Sequence, residues 1–180
     1  MIHRLFAAIR PRAAVIERLL ALQGGISGAR WQDATQLHLT LRFFGEVETG
    51  QAEDVVAALE GVRGAPFTLA LRGVGHFEKK GAPYTLWAGL APSDALAALQ
   101  RQVEAAGRRA GLPPESRKFA PHITLARLNR ASGPVLPFMQ AHGALRGEPW
   151  PVEAFDLMES TLAPEGAEYQ TVRRYRLLAD

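Results

Sequence analysis

The sequence of 180 residues contains no cysteine, few lysines and no long apolar run. Without cysteine the chain can form no disulfide, thiolate nucleophile or cysteine–zinc site, which fits a cytoplasmic protein. Its apolar stretches are too short to cross a bilayer, and Arg10 and Arg12 interrupt the first of them too early for a signal peptide. We therefore expect no membrane partner.

Arginine supplies nearly all of the positive charge. Lys79, Lys80 and Lys118 are the only lysines among 21 basic residues, and the net charge is +3. The planar guanidinium fork suits phosphate oxygens, and basic residues, nearly all of them arginine, cluster at positions 108–130 and 173–176. This pattern indicates a small anionic ligand rather than a long duplex, with a solvated basic surface as the competing interpretation.

One four-residue pattern occurs twice, as His38-Leu39-Thr40-Leu41 and, 84 residues later, as His122-Ile123-Thr124-Leu125. Side chains alternate between the two faces of a β-strand, so His and Thr at i and i+2 share one face. Each copy predicts a strand that buries its apolar face and presents an imidazole beside a hydroxyl. The same alternation places Arg42 with His38, and Phe43 with the core.

The residues around both copies resemble a known family. They are similar to the two signatures of the two-histidine (2H) phosphoesterases, and most closely to those of the RNA 2′,3′-cyclic phosphodiesterases, formerly described as 2′-5′ RNA ligases. The resemblance continues along the chain in the family's opening, central and closing strands. The stretches that carry it are residues 4–9, 38–47, 85–89, 119–127 and 159–162, with Gly166 and Tyr169.

The predicted elements run strand–helix–strand in two rounds, with one histidine motif in each. This order predicts an α+β fold with two similar lobes facing each other across a cleft. The resemblance implies the same: antiparallel sheets with flanking helices, related by a pseudo-two-fold axis, as in the LigT-like fold. We expect residues 1–180 to form a single bilobal domain. Residues 5–9, apolar on both faces, predict a strand inside a sheet, and residues 75–83 predict an exposed loop.

Hydrolysis of a cyclic phosphodiester needs two proton transfers, because the attacking water loses a proton and the leaving oxygen gains one. Two histidines on opposite walls of a cleft can supply both, with no metal or other cofactor. By resemblance, His38 is the general acid that protonates the 3′ oxygen and His122 is the general base that activates water, which leaves a 2′-phosphate. Thr40 and Thr124 are expected to bind the non-bridging oxygens.

An arginine is expected to assist at the phosphate, and two are candidates. Arg127 matches the family's phosphate-contacting residue, but it lies an odd number of residues from His122. Two explanations are open: a bulge or twist at Ala126 brings it to the same face, or its side chain reaches around the end of the strand. Arg42 has the right parity, with a surface salt bridge as its competing role.

The leading hypothesis is hydrolysis of the 2′,3′-cyclic phosphate end of an RNA, with reverse 2′-5′ ligation chemically allowed. One alternative is the same chemistry on a 2′-5′ oligoadenylate or a nucleotide cyclic phosphate. Another is a non-catalytic module that binds RNA ends, although binding alone needs neither a proton donor nor an acceptor. Phe6 or Tyr84 is expected to stack on a terminal base. We expect a monomer, because no segment predicts a dimer interface.

Overall fold

The computed structural model describes residues 1–179, which form ten strands and four helices. Their order alternates strands and helices in the two rounds that the sequence predicts. The elements are β1 (Ile2–Ile9), α1 (Ala13–Ala21), β2 (Arg30–Trp31), β3 (Leu39–Glu48), α2 (Thr49–Leu59), β4 (Phe67–Leu69), β5 (Leu71–Lys79), β6 (Ala82–Leu90), α3 (Asp94–Arg109), β7 (His122–Arg127), α4 (Leu136–His142), β8 (Trp150–Val152), β9 (Ala154–Ala163) and β10 (Gly166–Arg176).

Eight of the strands form one antiparallel sheet in the order β10-β9-β1-β3-β7-β6-β5, with β2 paired to β7. Strands β4 and β8 form a separate two-stranded ribbon. The predicted α+β fold with antiparallel strands is confirmed. Strand β1 lies inside the sheet between β9 and β3, as its apolar sequence predicts, and five of its eight residues are buried.

The large sheet has two halves, and each half contains one of the histidine motifs. Strands β10, β9, β1 and β3 form the first half, and β7, β6, β5 and β2 form the second. The halves join through the single pair of Leu39 in β3 with Ile123 in β7. These two residues are 1% and 0% exposed, so the junction lies in the core. The predicted pair of lobes is therefore one continuous sheet.

Helices α2 and α3 pack against each other and against the first half of the sheet. The third helix begins directly after Ser93, whose hydroxyl accepts a hydrogen bond from the Leu96 amide at 3.1 Å and so caps the helix. Its apolar stripe, which includes Leu99 and Val103, is buried. Burial of each such side chain contributes roughly 1.5–3 kcal/mol, which fixes the helix on the core face of the sheet.

The expected loop over residues 75–83 is wrong. Strand β5 continues to Lys79 and β6 starts at Ala82, so only Lys80 and Gly81 connect them. Both residues have positive φ, 52° and 76°, as a two-residue hairpin turn requires. Gly75 lies inside β5, where a Cβ atom would come within 2.2 Å of the Trp87 ring. This glycine makes room for the indole rather than for a turn.

Candidate active site

The two histidine motifs lie side by side in the middle of the sheet. Because Leu39 pairs with Ile123 in an antiparallel register, His38 is aligned with Thr124, and Thr40 with His122. The apolar residues of both motifs point into the core, as the alternation predicts. The two imidazoles and two hydroxyls therefore form one group on the opposite face, arranged about the junction of the two halves.

Both imidazole rings are held in the same way. His38 Nδ1 donates to the Gln36 carbonyl at 2.6 Å, and His122 Nδ1 donates to the Ala120 carbonyl at 2.6 Å. A carbonyl can only accept, so Nδ1 carries the hydrogen in both rings and Nε2 is the exchangeable nitrogen. His38 Nε2 lies 2.9 Å from the Thr40 hydroxyl, which donates to it when the ring is neutral.

Burial makes both rings weaker bases than free histidine. It lowers the pKa of His38 to about 4, and the charges of Arg127, His122 and Arg10 act in the same direction. Burial also lowers the pKa of His122, again with help from the Arg127 charge. The two backbone carbonyls oppose this change but do not cancel it. Both rings are therefore neutral at pH 7 in the free protein.

Aromatic side chains surround each histidine. On the first half of the sheet, the rings of Phe6 and Tyr169 lie with centroids 4.9 and 5.2 Å from His38. On the second half, Phe77 and Trp87 lie 4.8 and 6.3 Å from His122. These neighbours fix the ring positions and exclude water, which accounts for the lowered pKa values. None of the four contacts follows from the motifs themselves.

The alternation of the first motif breaks after Thr40. Ala8 pairs with Thr40 but Ala7 pairs with Arg42, so Leu41 is an extra residue in β3, a β-bulge. The bulge reverses the faces of the residues that follow it. Arg42 turns into the interior at 6% exposure, whereas Phe43 turns outward at 46% exposure. The expectation that Arg42 shares a face with His38 is therefore wrong.

Arg42 instead joins β3 to helix α3. Its Nη1 lies 2.7 Å from Glu104 Oε2, an ion pair rather than an aligned hydrogen bond, and donates to the Glu104 carbonyl at 3.1 Å. Its Nη2 donates to the Pro113 carbonyl. The guanidinium rests against Gly107, where a Cβ atom would come within 2.5 Å of Nη1. These contacts assign Arg42 a structural role on the face opposite the histidines.

The second motif has the same irregularity at the same position. Trp87 pairs with Thr124 and Leu86 with Ala126, so Leu125 is the extra residue. This is the bulge that a cleft-facing Arg127 requires. Arg127 lies on the face of His122, and its Nη1 donates to the Thr85 hydroxyl at 3.0 Å. Of the two explanations that the sequence leaves open, the structure shows a bulge, at Leu125 rather than at Ala126.

In both motifs the bulge is the third residue after the histidine, so the fifth residue faces the cleft. That residue is Phe43 in the first motif and Arg127 in the second. The two positions are equivalent by the pseudo-symmetry of the sheet, yet one is aromatic and the other cationic. Of the two arginine candidates, Arg127 alone reaches the side of the sheet where the histidines lie.

A cavity of about 510 Å³ opens beside the histidines on the same face. The motif strands contribute Phe43 and Arg127 to its wall, and β1 contributes Arg4 and Phe6. The remaining lining residues come from the segment around β2 and from the β9–β10 hairpin, namely Arg30, Trp31, Gln32, Gln36, Ser160, Leu162, Ala163, Glu165, Gly166, Ala167 and Tyr169.

Neither of the two residues expected to stack on a base is positioned to do so in the cavity. Phe6 belongs to the cavity wall, but it is only 2% exposed and packs against His38, so its ring has no free face on which a base could stack. Tyr84 is 41% exposed and neighbours Phe77, but it does not line the cavity. Phe43, which alternation assigns to the core, presents the exposed aromatic surface instead. A bulge at the same position in both motifs, as the expected role of Arg127 requires in the second, would have predicted from the sequence that Phe43 faces the cleft.

Residues 1–179 contain no group of three or more His, Cys, Asp and Glu side chains that could hold a metal ion. None of the helices in this part of the chain has the length and apolar character needed to span a membrane.

Comparison with known proteins places these features in a family context. Residues 11–163 match the profile of the 2′-5′ RNA ligase superfamily. A Thermus thermophilus protein named RNA 2′,3′-cyclic phosphodiesterase is 34% identical over 97% of this chain and 90% of its own length. The protein of that name from Geobacillus stearothermophilus is 34% identical over 82% of this chain. The chain spans only 48% of that relative's length.

Solved structures share the fold over nearly the full length. The crystal structure of TT0787 from Thermus thermophilus superposes with a TM-score of 0.80 at 30% identity, covering 97% of each chain. Escherichia coli LigT, crystallised with 3′-AMP, gives a TM-score of 0.80 at 25% identity, covering 99% of this chain and 100% of its own. The fold of this chain thus recurs in solved proteins.

Proposed function

The chain belongs to the 2′-5′ RNA ligase superfamily, the two-histidine phosphoesterases, and we propose that it hydrolyses the 2′,3′-cyclic phosphate end of an RNA to a 2′-phosphate. The observation that carries this proposal is the pairing of His38 and His122. The two rings are held in the same tautomer, and a threonine hydroxyl accompanies each of them. Relatives that match nearly the whole chain are named RNA 2′,3′-cyclic phosphodiesterase, which supports the proposed substrate.

The proposed reaction is an in-line displacement at phosphorus. Neutral His122 accepts a proton through Nε2 from the attacking water, whose oxygen forms the new bond to phosphorus. The bond from phosphorus to the 3′ oxygen breaks on the opposite side, and His38 donates its Nε2 proton to that oxygen. The 2′ oxygen keeps the phosphate. Exchange of protons with solvent then restores both rings.

Thr40, Thr124 and Arg127 are the proposed partners of the non-bridging oxygens. In the free protein the Thr40 hydroxyl donates to His38 Nε2. A bound phosphate would draw this hydroxyl to one of its oxygens and leave Nε2 facing the leaving oxygen. The Thr124 hydroxyl forms no hydrogen bond with any other residue in the range 1–179, so it is available to a ligand. Fixed donors of this kind stabilise charge that develops in the transition state.

A general acid must carry a proton, and burial lowers the pKa of His38 to about 4 in the free protein. The phosphodiester supplies the missing charge, because an anion close to an imidazole raises its pKa. His38 therefore takes up its proton when the substrate binds. A carboxylate bonded to Nδ1 would keep the His38 ring protonated even without substrate. The neutral Gln36 carbonyl does not, so the ring becomes protonated only when the anionic ligand binds.

We propose that the reaction needs no metal ion, since the two imidazoles supply both proton transfers and Arg127 supplies positive charge. Activity should persist in excess chelator. The same two rings can exchange roles, so reverse 2′-5′ ligation is chemically allowed and secondary. We also propose a cytoplasmic location. We expect the protein to act as a monomer, which sedimentation velocity would check.

The deciding experiment incubates an RNA ending in a 2′,3′-cyclic phosphate with the wild type, His38→Ala and His122→Ala in excess chelator. His142→Ala, on helix α4 outside the cleft, is the matched control. We expect 2′-phosphate from the wild type and the control, and a loss of turnover of about 10²–10⁴-fold in each cleft variant. A 3′-phosphate product would overturn the roles assigned to the two histidines.

The alternatives give different results in the same assay. A phosphodiesterase for 2′-5′ oligoadenylate would cleave that compound and leave the cyclic RNA end intact. A non-catalytic module for RNA ends would bind the RNA without converting it, and His122→Ala would weaken binding only in part.

A further inference from the structure

The cavity beside the histidines contains positive charge that the proposed hydrolysis does not use. Three arginines line it, Arg4, Arg30 and Arg127, and only Arg127 is assigned to the reacting phosphate. One acidic residue, Glu165, also lines the cavity, at the turn of the β9–β10 hairpin. Neither histidine is among the lining residues, so the cavity adjoins the catalytic pair rather than covering it.

Arg30 and Arg127 lie directly opposite each other in the antiparallel pair of β2 with β7. Side chains in this position share a face and lie about 5 Å apart at Cβ, and like charges there destabilise a sheet. Over residues 1–179, no carboxylate forms an ion pair with either guanidinium. An anion bound between the two side chains would remove this repulsion.

Arg4 adds a third positive charge from β1. It lies two residues before Phe6, on the same face of the strand. Glu46 is its cross-strand neighbour, yet the two side chains form no ion pair within the described residues 1–179. The guanidinium is exposed to the cavity and has room to bind a ligand.

Phe43 gives the cavity an apolar surface next to these charges. The bulge at Leu41 turns it outward, the residue is 46% exposed, and its ring centroid lies 5.7 Å from that of Phe6. The buried Phe6 ring supports it from below. An exposed aromatic ring beside unpaired arginines is the combination that binds a nucleobase and its phosphate in single-stranded RNA.

We propose that the cavity binds the nucleotide that precedes the terminal cyclic phosphate. Its phosphodiester lies among Arg30, Arg127 and Arg4, and its base stacks on Phe43. This inference rests on the proposed function and extends it: the substrate is an oligoribonucleotide end, and a mononucleotide cyclic phosphate leaves the cavity empty. At about 510 Å³ the cavity has the size of sites that hold small ligands.

The test compares a mononucleotide 2′,3′-cyclic phosphate with a dinucleotide that ends in the same group. Wild type should turn over the dinucleotide with a kcat/KM at least about tenfold higher, because hydrogen bonds to a charged group contribute at about this level. Arg30→Gln, Arg4→Gln and Phe43→Leu should each reduce that ratio and leave the mononucleotide rate within about twofold. Arg101→Gln, on α3 away from the cavity, is the matched control.

A dinucleotide whose internal linkage is an uncharged methylphosphonate isolates the contribution of the phosphate. With wild type it should react more slowly than the natural dinucleotide. With Arg30→Gln, which keeps Arg4 and Arg127, the difference between the two dinucleotides should be smaller. Arg30→Gln should not lower the melting temperature, since it removes a like-charge pair, so a lost preference cannot be ascribed to unfolding. Equal kcat/KM for mononucleotide and dinucleotide in the wild type would overturn the inference.

A binding measurement tests this inference independently of the proposed hydrolysis. A dinucleotide with a terminal 2′-phosphate is titrated into wild type and Arg30→Gln, and its affinity is compared with that of the matching mononucleotide. If neither cyclic substrate is hydrolysed, the proposed function fails, but tighter dinucleotide binding that requires Arg30 still supports the cavity site. Equal affinities of wild type and Arg30→Gln for the dinucleotide would overturn it.

Discussion

Arg42 provides the sharpest test of the bulge in β3, because the alternation of a regular strand and the observed structure assign it opposite roles. If it faced the cleft, its removal would impair turnover and leave stability nearly unchanged. In the structure its side chain is 4% exposed and its guanidinium contacts Glu104 at 2.7 Å. Its removal should therefore lower stability and leave turnover intact.

The expected loss of unfolding free energy depends on whether Arg42 or Glu104 is replaced. Glu104→Gln leaves a buried guanidinium without its carboxylate, a change that costs about 3–5 kcal/mol in buried pairs. Glu104 is 21% exposed and Arg42 keeps two backbone carbonyls, so we expect the lower end, about 3 kcal/mol. Arg42→Met leaves those carbonyls without a donor but allows Glu104 to be hydrated, and should cost about 2 kcal/mol.

Urea unfolding followed by circular dichroism measures these values for wild type, both single variants and the double variant. The double variant should lose about 1–2 kcal/mol less than the sum of the two single variants, because the partners interact directly. For a chain of this length, about 3 kcal/mol corresponds to a fall in Tm of roughly 6–12 °C. Loss of turnover in folded Arg42→Met, with unchanged unfolding free energy, would refute the structural role.

The histidines and their aromatic neighbours set three further expectations. The proposed reaction needs a proton on His38 and none on His122, and burial lowers the pKa of both rings. Log kcat/KM should therefore fall by about one per pH unit between pH 7 and 9. A level profile in that range would contradict the mechanism. Because the pKa of His38 is about 4 when folded and near 6.5 when unfolded, the unfolded chain binds more protons between these values, and stability is lost as pH falls from 6.5 towards 4. This loss amounts to about 2 kcal/mol at pH 5. His38→Asn should not show this loss of stability, which urea unfolding of the variant and the wild type at pH 5 and 7.5 would measure. The same pH dependence in the variant and the wild type would count against a buried neutral ring. Gly75→Ala places a methyl group 2.2 Å from the Trp87 ring, so it should cost about 1–3 kcal/mol by thermal unfolding and alter tryptophan fluorescence. Gly50→Ala, whose methyl meets open space in α2, is its control, and equal stability of the two variants would mean that the indole does not pack on Gly75.

Strand alternation predicts the face on which the histidines lie correctly as far as the third residue after each histidine. It assigns His38 and Thr40 to one face, and Leu39 and Leu41 to the other, as observed. It fails at Arg42 because a β-bulge depends on the register of the neighbouring strand, which a single sequence does not reveal. The mismatch of Arg127 with its expected role is the only local signal of such a bulge.

The remainder of the site depends on contacts between distant segments. Phe6 and Tyr169 reach His38 from β1 and β10, and Arg30 reaches the cavity from β2. Nothing in the residues near these positions indicates that they meet. The sequence places Gly75 in a loop for a similar reason, since glycine is typical of turns and its contact with Trp87 forms only in the folded sheet.

The order of pairing in the sheet has a consequence for how the chain folds. The second half of the sheet is mostly contiguous in sequence, because β5, β6 and β7 follow one another. The first half is closed by β1 pairing with β9, which joins Leu5 to Glu159, 154 positions further along. Closing so long a loop is slow relative to forming local hairpins. During synthesis the strands around His122 can therefore form while β1 and β3 still lack β9, which leaves the ribosome with the last quarter of the chain. The surroundings of the two histidines are therefore completed at different times.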